Sequence, residues 1–252
     1  MKPPRNKVLR PRLPKNGQVV IVGLGGVGGI VARYASVFLA AFQQNKWLTL
    51  VDGDKFEPSN ASRMIFGGYG NKALVVRKEL QPRFRNSKLM ILSKREFLTP
   101  HNIGHLIRSG DIVLLCVDNH ATRKLVNDHC RKLRNICLIS GGNDGVGKDS
   151  SGAVRRGTYG NAQTYERRNG KDITPHLAAY HPEIAEPKDK MPHELSCTEL
   201  VASQPQILFS NLAVASAMLN TLLLHLSRAT HYGELSFDIA DGLCRPTIGL
   251  TI

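Results

Sequence analysis

Short runs of consecutive apolar residues alternate with segments of helical periodicity along the first half of the chain. The runs cover residues 18–22, 48–51, 89–93, 111–117 and 136–140. Such runs are typical of strands buried on both faces. The intervening segments repeat apolar residues at helical spacing, over residues 27–43, 71–80, 102–108 and 122–134. This alternation predicts an α/β fold, doubly wound, with a mostly parallel sheet and helices on both faces.

The pattern changes over residues 147–194, where glycine, proline, histidine and charged residues leave little periodicity. We predict a long crossover loop here, at about 147–195, mobile when a partner is absent, because long loops in compact domains are usually functional. After Cys197 a helix is predicted to about Arg228, with an apolar stripe that suits a core or a dimer interface. Segments 235–238 and 247–251 predict a terminal hairpin, so residues 17–252 form one domain.

Residues 1–16 are rich in proline, lysine and arginine and predict an extended basic arm. The arm is either a disordered tail, which we favour for any single arginine, or a carrier of an arginine to a phosphate. The whole chain of 252 residues has a formal net charge of +14. That charge favours anionic partners such as nucleotide, nucleic acid or an acidic protein, although it also suits simple solubility.

The five cysteines form no CxxC pair, which argues against a disulfide framework and a four-cysteine zinc site. We therefore expect free thiols, a cytoplasmic location and no structural zinc. The N-terminus lacks the apolar region of a secretory signal, and the apolar segment 212–226 is too short and too polar to span a bilayer. The sequence thus predicts a soluble protein with no membrane partner.

A glycine cluster follows the first predicted strand and precedes the first predicted helix. Its glycines are Gly23, Gly25, Gly26 and Gly28. Glycines at this junction let a phosphate approach the backbone and the helix N-terminus. Asp52 ends the second predicted strand, where a carboxylate can bind a ribose hydroxyl. The pattern predicts a nucleotide site, but it suits an NAD-dependent dehydrogenase as well as an ATP enzyme.

Further charged residues discriminate between these two chemistries. Arg63 and Lys72 can neutralise a triphosphate, and Asp118, at the end of a predicted strand, can hold magnesium that bridges phosphate oxygens. A dehydrogenase needs no such set. The sequence therefore favours an adenylating enzyme that uses ATP and Mg²⁺.

Four motifs together carry a family resemblance, which is strong over residues 18–145. They are the glycine cluster, Asp52-Gly53-Asp54 with Asn60 and Arg63, Gly70-Asn71-Lys72-Ala73, and Asp118-Asn119 with Arg123 and Asn127. The chain resembles the ThiF/MoeB/HesA family of ubiquitin-activating-enzyme-like adenylyltransferases, and it is loosely similar to PRTRC-type ThiF proteins. Departures are a short interval between Arg63 and Lys72 and the absence of paired CxxC motifs.

The resemblance implies a Rossmann-like fold and a homodimer. It also implies roles for the motif residues. The glycines cradle ATP, Asp52 binds ribose, Arg63 and Lys72 contact phosphates, and Asp118 coordinates magnesium. Asp54, Asn60 and Asn119 join the nucleotide-binding set. Arg123 and Asn127 lie on one helical face, and we interpret them as bracing the Asp118 turn rather than as catalytic.

Cys197 is a further candidate for catalysis. Ser196 and Glu199 fit a capping box, which would place Cys197 in a first helical turn where the helix dipole lowers the pKa of a thiol. His193 is near in sequence and could assist. Pro205 allows the helix to begin at Ser203 instead, and Cys197 would then have no chemical role.

These residues predict ATP-dependent adenylation of the C-terminal glycine of a small ubiquitin-like or sulfur-carrier protein. The catalytic set would be Arg63, Lys72, Asp118 and Cys197. Cys197 would either take the acyl group as a thioester or leave that task to another protein. One alternative is an adenylating dehydratase that acts on a modified tRNA base, which the net charge would suit. Others are a non-catalytic nucleotide-binding partner subunit and a Rossmann oxidoreductase.

Overall fold

The computed structural model describes residues 8–61, 64–148, 152, 154–194 and 207–248. The strands are β1 (Val19–Val22), β2 (Lys46–Val51), β3 (Lys55–Phe56), β4 (Gly70–Asn71), β5 (Leu89–Lys94), β6 (Ile112–Leu115), β7 (Ile136–Asn143), β8 (Val146–Lys148), β9 (Val154–Arg156), β10 (Tyr159–Arg168), β11 (Lys171–Asp172), β12 (Glu234–Asp238) and β13 (Leu243–Thr247). The helices are α1 (Gly26–Ala40), α2 (Lys72–Leu80), α3 (Ile103–Leu106), α4 (His120–Cys130), α5 (Leu177–Tyr180), α6 (Pro182–Ala185) and α7 (Leu208–Leu226).

The main sheet of the described residues has nine strands, in the order β13-β12-β10-β7-β6-β1-β2-β5, with β11 paired to β10. Strands β5, β2, β1, β6 and β7 are parallel, whereas β10, β12 and β13 are antiparallel. Strands β2 and β5 follow one another on one side of β1, and the chain then returns to place β6 on the other side of β1. The strand order therefore reverses beside β1, where open α/β sheets form a ligand crevice at the carboxyl ends of their strands.

Helices cover both faces of the sheet, each over its own buried core. Helices α1, α2 and α7 pack on one face around residues such as Val31, Val76 and Met218. Helices α3, α4, α5 and α6 cover the other face around residues such as Ile103, Val126 and Tyr165. The predicted α/β fold, with a mostly parallel sheet between two helical layers, is confirmed.

The prediction of a structureless crossover loop over 147–194 is wrong for most of its length. Strand β10 is ten residues long and lies within the sheet, between β7 and β12. Its buried positions include Asn161, Gln163, Thr164 and Glu166. Because polar residues occupy buried positions on both faces of β10, the segment shows neither an apolar run nor an alternation that would predict a strand.

Helix α7 is nineteen residues long and, by length and composition alone, apolar enough to cross a membrane. The prediction that this segment is too short is therefore wrong. Helix α7 packs against α1, β7 and β10, and its Val214, Met218 and Leu222 are fully buried. These contacts account for its apolar character, because they make it a core helix of the α/β fold.

The described part of the basic arm contacts the domain. Leu13 is buried, and the Arg12 amide donates to the Leu226 carbonyl at the end of α7 (2.9 Å). Lys46 Nζ donates to the carbonyls of Pro14 (2.9 Å) and Gly17 (3.1 Å). Residues 12–17 are thus tied to the sheet and to α7.

A half-buried histidine joins the segment after β11 to the sheet. His181 Nε2 lies 2.7 Å from Glu234 Oε1, and its Nδ1 lies 2.9 Å from Glu183 Oε1. Asn161 on β10 also donates to Glu234 Oε1 (2.7 Å). The hydrogen bond with Glu234 raises the pKa of His181 above 6.5, opposed by burial and helped by Glu183.

This raised pKa predicts a loss of stability as pH rises. A group whose pKa is higher in the folded state contributes its full stability below its unfolded value, here 6.5, and loses it as pH rises through the folded value. We expect the free energy of unfolding to fall by about 1.5 kcal/mol across that range. Urea unfolding from about pH 6 to pH 9 measures it. In His181→Gln the free energy of unfolding should depend less steeply on pH. An unchanged pH dependence would mean that other groups cause it.

Candidate active site

The glycine turn between β1 and α1 is built by close backbone contacts. Gly23 has a φ of +84°, which favours glycine, and a Cβ there would lie 3.0 Å from the Cys116 carbonyl oxygen. A Cβ on Gly28 would lie 1.8 Å from the Gly23 carbonyl oxygen. Gly25 is the N-cap of α1 and carries no side chain that could occupy the first amides of the helix. The turn thus brings a helix N-terminus to the ligand crevice, as a phosphate site requires.

Asp52 connects the end of β2 to this turn. Leu24 N–H donates to Asp52 Oδ2 (2.6 Å), and Asp54 N–H donates to Asp52 Oδ1 (2.8 Å). The side chain is buried, and burial raises the pKa of Asp52, while Lys72 opposes this shift. Each carboxylate oxygen can accept a second hydrogen bond. Asp52 can therefore brace the glycine turn and still accept from a ribose hydroxyl.

Lys72 lies at the start of α2 and forms an ion pair with Asp54. The Lys72 side chain is 9% exposed and that of Asp54 is 54% exposed. Asn71 Nδ2 donates to the carbonyls of Asp52 (2.9 Å) and Asp54 (3.1 Å). The structure therefore places Lys72 with Asp52 and gives Asp54 a partner that the sequence analysis missed.

Asn60 ends a short 3-10 helix, Pro58–Asn60, and its side chain forms a hydrogen bond within the same turn. Glu57 N–H donates to Asn60 Oδ1 (3.1 Å), and the Glu57 side chain caps the same turn in return. This capping box gives Asn60 a structural role next to the predicted phosphate contact. Arg63 itself lies outside the described residues, so its assignment stays a prediction.

Asp118 follows β6 and is exposed. It lies directly after Val117, whose Cγ1 would be 3.1 Å from a Cβ on Gly23. Because β1 and β6 are parallel neighbours, Asp118 lies at the same edge of the sheet as the glycine turn. The next residue, Asn119, caps α4 by accepting from Thr122 N–H (2.7 Å). Its side-chain oxygen thus caps the helix, and the assignment of Asn119 to the nucleotide-binding set stays a prediction.

Arg123 braces the Asp118 turn from α4. Its side chain is buried and donates to the carbonyls of Val117 (2.7 Å) and Gly141 (2.9 Å) and to Ser140 Oγ (2.8 Å). Burial lowers the pKa of Arg123, while Asp118 opposes the shift. The prediction that Arg123 is structural is confirmed.

Asn127 does not brace the Asp118 turn. Its Oδ1 accepts from Leu177 N–H (3.0 Å), at the start of α5. The prediction for Asn127 is thus corrected, because this side chain joins α4 to the segment that follows β11. No sequence signal pointed to that contact, since its two residues lie far apart in the chain.

Three of the cysteines are buried thiols, which distinguishes them from Cys197, the candidate nucleophile. Burial raises the pKa of Cys116 to about 12 and raises that of Cys130 and Cys137 as well, which makes them poor nucleophiles. Cys197 lies outside the described residues, as do Ser196 and Glu199. Within the described ranges, no group of three or more His, Cys, Asp or Glu side chains could hold a metal ion.

A model of the ThiF family matches residues 12–237, nearly the whole described fold. The chain belongs to the ThiF family. Its relatives include the adenylyltransferase and sulfurtransferase MOCS3 of Drosophila ananassae, 37% identical over 155 residues, which cover 60% of this chain and 32% of the relative. MOCS3 of Drosophila sechellia is 39% identical over 134 residues, covering 50% of this chain and 27% of the relative. This ThiF-family chain therefore spans about a third or less of the length of these relatives.

Solved structures support the same fold at lower identity. Escherichia coli MccB with ATP has a TM-score of 0.65 and 18% identity, covering 94% of this chain and 65% of that one. The microcin C7 biosynthetic enzyme MccB with N-formylated MccA has the same TM-score and identity, covering 93% and 65%. The family match and the MOCS3 relatives support an adenylyltransferase, while the MccB likeness concerns the fold.

Proposed function

We propose that this ThiF-family chain uses ATP to adenylate the C-terminal glycine of a small ubiquitin-like or sulfur-carrier protein. The observation that carries the proposal is the set of charged groups at the carboxyl edge of the sheet. There Asp52 accepts from Leu24 of the glycine turn, Lys72 pairs with Asp54, and Asp118 follows the neighbouring strand β6. The names of the MOCS3 relatives, which pair adenylyl transfer with sulfur transfer, support this class of substrate. MccB, described in complex with N-formylated MccA, is a neighbour in fold and does not identify the substrate of this chain.

The reaction needs positioning and charge neutralisation more than acid–base chemistry. A carboxylate oxygen of the carrier attacks the α-phosphorus of ATP, the bond to the bridging oxygen breaks, and pyrophosphate leaves. The product is an acyl-adenylate. Lys72 and Arg63 would balance the phosphate charge, and Asp52 would hold the ribose. The Lys72–Asp54 pair leaves one partner largely exposed, so a triphosphate can compete with Asp54 for the ammonium group.

Magnesium fits this site through a single carboxylate. Mg²⁺ in nucleotide sites is usually held by one or two carboxylates together with phosphate oxygens and water, so no larger protein cluster is needed. Asp118 is exposed at the carboxyl end of β6 and would be that ligand. When bound, the ion would neutralise charge on the phosphates.

Intact mass spectrometry tests the proposal and the role of Cys197. We expect a candidate carrier, mixed with this chain and Mg-ATP, to gain the mass of AMP at its C-terminus. If Cys197 takes the acyl group, the chain itself gains the carrier mass, thiols release it, and Cys197→Ala abolishes it. Cys244→Ala, a change at an exposed cysteine on β13, is the matched control. An adenylate without a chain adduct would show that Cys197 has no such role.

A homodimer and a cytoplasmic location belong to the same proposal. Apolar side chains remain exposed on α1 and α7, with Tyr34 at 61%, Val37 at 50% and Phe209 at 68%. Such residues suit a subunit interface better than a solvated surface. Four cysteines are free among the described residues, as expected in a reducing compartment.

A second candidate function keeps the fold and changes the substrate to a modified tRNA base. A groove at the C-terminal end of α4 is lined by Lys124, Arg131, Lys132 and Arg167, together with Asp128 and Asp172. Cationic grooves suit phosphate backbones. Retention of tRNA that weakens steeply with salt, without any adenylated carrier, would favour this candidate over the first.

A further inference from the structure

The first turn of α4 is held by a carboxylate from a distant part of the chain. Asp189 Oδ2 accepts from His120 N–H (2.6 Å), and Asp189 Oδ1 accepts from Ala121 N–H (2.8 Å). These amides belong to the N-terminus of an eleven-residue helix, which stabilises a negative charge. The pair of short hydrogen bonds is a charge-assisted contact, among the stronger kinds in proteins.

The crossover segment, which we define as residues 172–194, delivers this carboxylate from a braced position. Asn127 on α4 holds Leu177 N–H (3.0 Å), and His181 contacts Glu234 on β12 (2.7 Å). Ile184 and Leu177 are buried on the same face of the sheet as α4. Asp189 is therefore a further tether of a segment that is already fixed to α4 and to the sheet.

The Asp189 contact lies beside the carboxylate that the proposed reaction needs. His120 follows Asp118 by two residues, and the turn between them has three side-chain anchors. Arg123 holds the Val117 carbonyl before it, and Asn119 caps the helix after it. Both of those anchors are local, whereas Asp189 comes from another part of the chain.

We propose that Asp189 is a positioning residue of the adenylation site, which fixes the Asp118 turn by occupying the first amides of α4. This inference rests on the proposed function. The contact has a second consequence for the nucleotide. Without Asp189, the His120 and Ala121 amides would form a competing anion site, because a free helix N-terminus attracts phosphate. Asp189 thus positions Asp118 and, by occupying these amides, prevents them from competing with the glycine turn for the triphosphate.

Hydrogen exchange with and without Mg-ATP tests the proposal on the full chain. In the wild type, Mg-ATP should slow amide exchange in two places, the glycine turn (residues 22–29) and the Asp118 turn (residues 117–122). In Asp189→Ala, protection of the glycine turn should persist. Protection that Mg-ATP adds at the Asp118 turn should fall by about twofold to thirtyfold, the range for loss of a helix cap. Asp189→Glu should restore part of it.

Glu186→Gln is the matched control, since it removes one negative charge at an exposed position of the same segment. An equal loss in Glu186→Gln would make the effect one of net charge and would overturn the proposal. Faster basal exchange in Asp189→Ala with unchanged Mg-ATP protection would also overturn it, because a purely structural cap behaves in that way. A wild type that Mg-ATP protects at neither turn would refute the proposed function and this inference with it. Thermal melting confirms that each variant is folded.

Discussion

Asp118→Ala is expected to lower carrier-dependent ATP–pyrophosphate exchange by about a hundredfold to a thousandfold, the cost of removing one group that stabilises charge in a transition state. The exposed carboxylate is the proposed ligand for the magnesium that accompanies ATP. Asp118→Asn should fail to nearly the same extent, because the amide keeps the shape and loses the charge. Exchange of labelled pyrophosphate into ATP measures the effect.

Stability should change little in the same variant. Asp118 is exposed, and the surrounding turn is held by Arg123 and Asn119 rather than by its own side chain. We expect the free energy of unfolding to stay within about 1 kcal/mol of the wild type, as for most surface substitutions. Asp128→Ala, a change on α4 at a carboxylate paired with Lys124, is the control that should retain activity. ATP–pyrophosphate exchange at the wild-type rate in Asp118→Ala would show that Asp118 does not take part in the reaction.

The parallel half of the sheet could be predicted because its strands are buried on both faces by apolar residues. Strand β6, with the sequence Ile112–Leu115, is buried at each position, and a continuous apolar run is the direct result. Strand β10 is buried as deeply but gives no such signal. Its Asn161 donates to Glu234 Oε1 on β12, and the carboxylate of its buried Glu166 pairs with Arg168 and lies 3.8 Å from His225 on α7. Polar residues that are satisfied by tertiary partners cannot be distinguished from loop residues by sequence alone.

The nucleotide site shows the same division between local and long-range information. The glycine turn and the carboxylate at the end of β2 occur at a characteristic spacing in nucleotide sites, so a motif predicts them although Asp52 lies 28 residues from Leu24. The Lys72–Asp54 pair, the Asn127–Leu177 hydrogen bond and the Asp189 contact join separate segments. Asn119 and Asn60 matched a family motif, and their side chains cap a helix and a turn. A motif position can therefore support the site through backbone geometry as well as through a ligand contact.

Gly28→Ala is expected to damage both the fold and nucleotide binding. Its Cβ would lie 1.8 Å from the Gly23 carbonyl oxygen and 2.8 Å from the Gly23 carbonyl carbon, which are backbone atoms of the phosphate-binding turn. Helix α1 would have to move away from β1, although Ala32, Ala35 and Val31 on the same helix are fully buried. Interiors this closely packed do not absorb such a shift. The expected loss is about 3 kcal/mol or more in the free energy of unfolding.

Gly29→Ala is the control for helix propensity, because it changes the neighbouring glycine of α1. A Cβ on Gly29 would meet only the Arg33 guanidinium at 3.3 Å and the Leu24 carbonyl oxygen at 3.9 Å. A flexible side chain can yield, and alanine in a helix interior is favoured over glycine by about 1 kcal/mol. Gly29→Ala should therefore be neutral or slightly stabilising, whereas Gly28→Ala should melt about 6 to 12 °C lower. Calorimetric titration with ATP should show binding by Gly29→Ala and a loss of at least about tenfold in affinity for Gly28→Ala. Equal melting temperatures and equal affinities in the two variants would mean that α1 does not rest against the Gly23 carbonyl. The phosphate site would then have to be built from another contact.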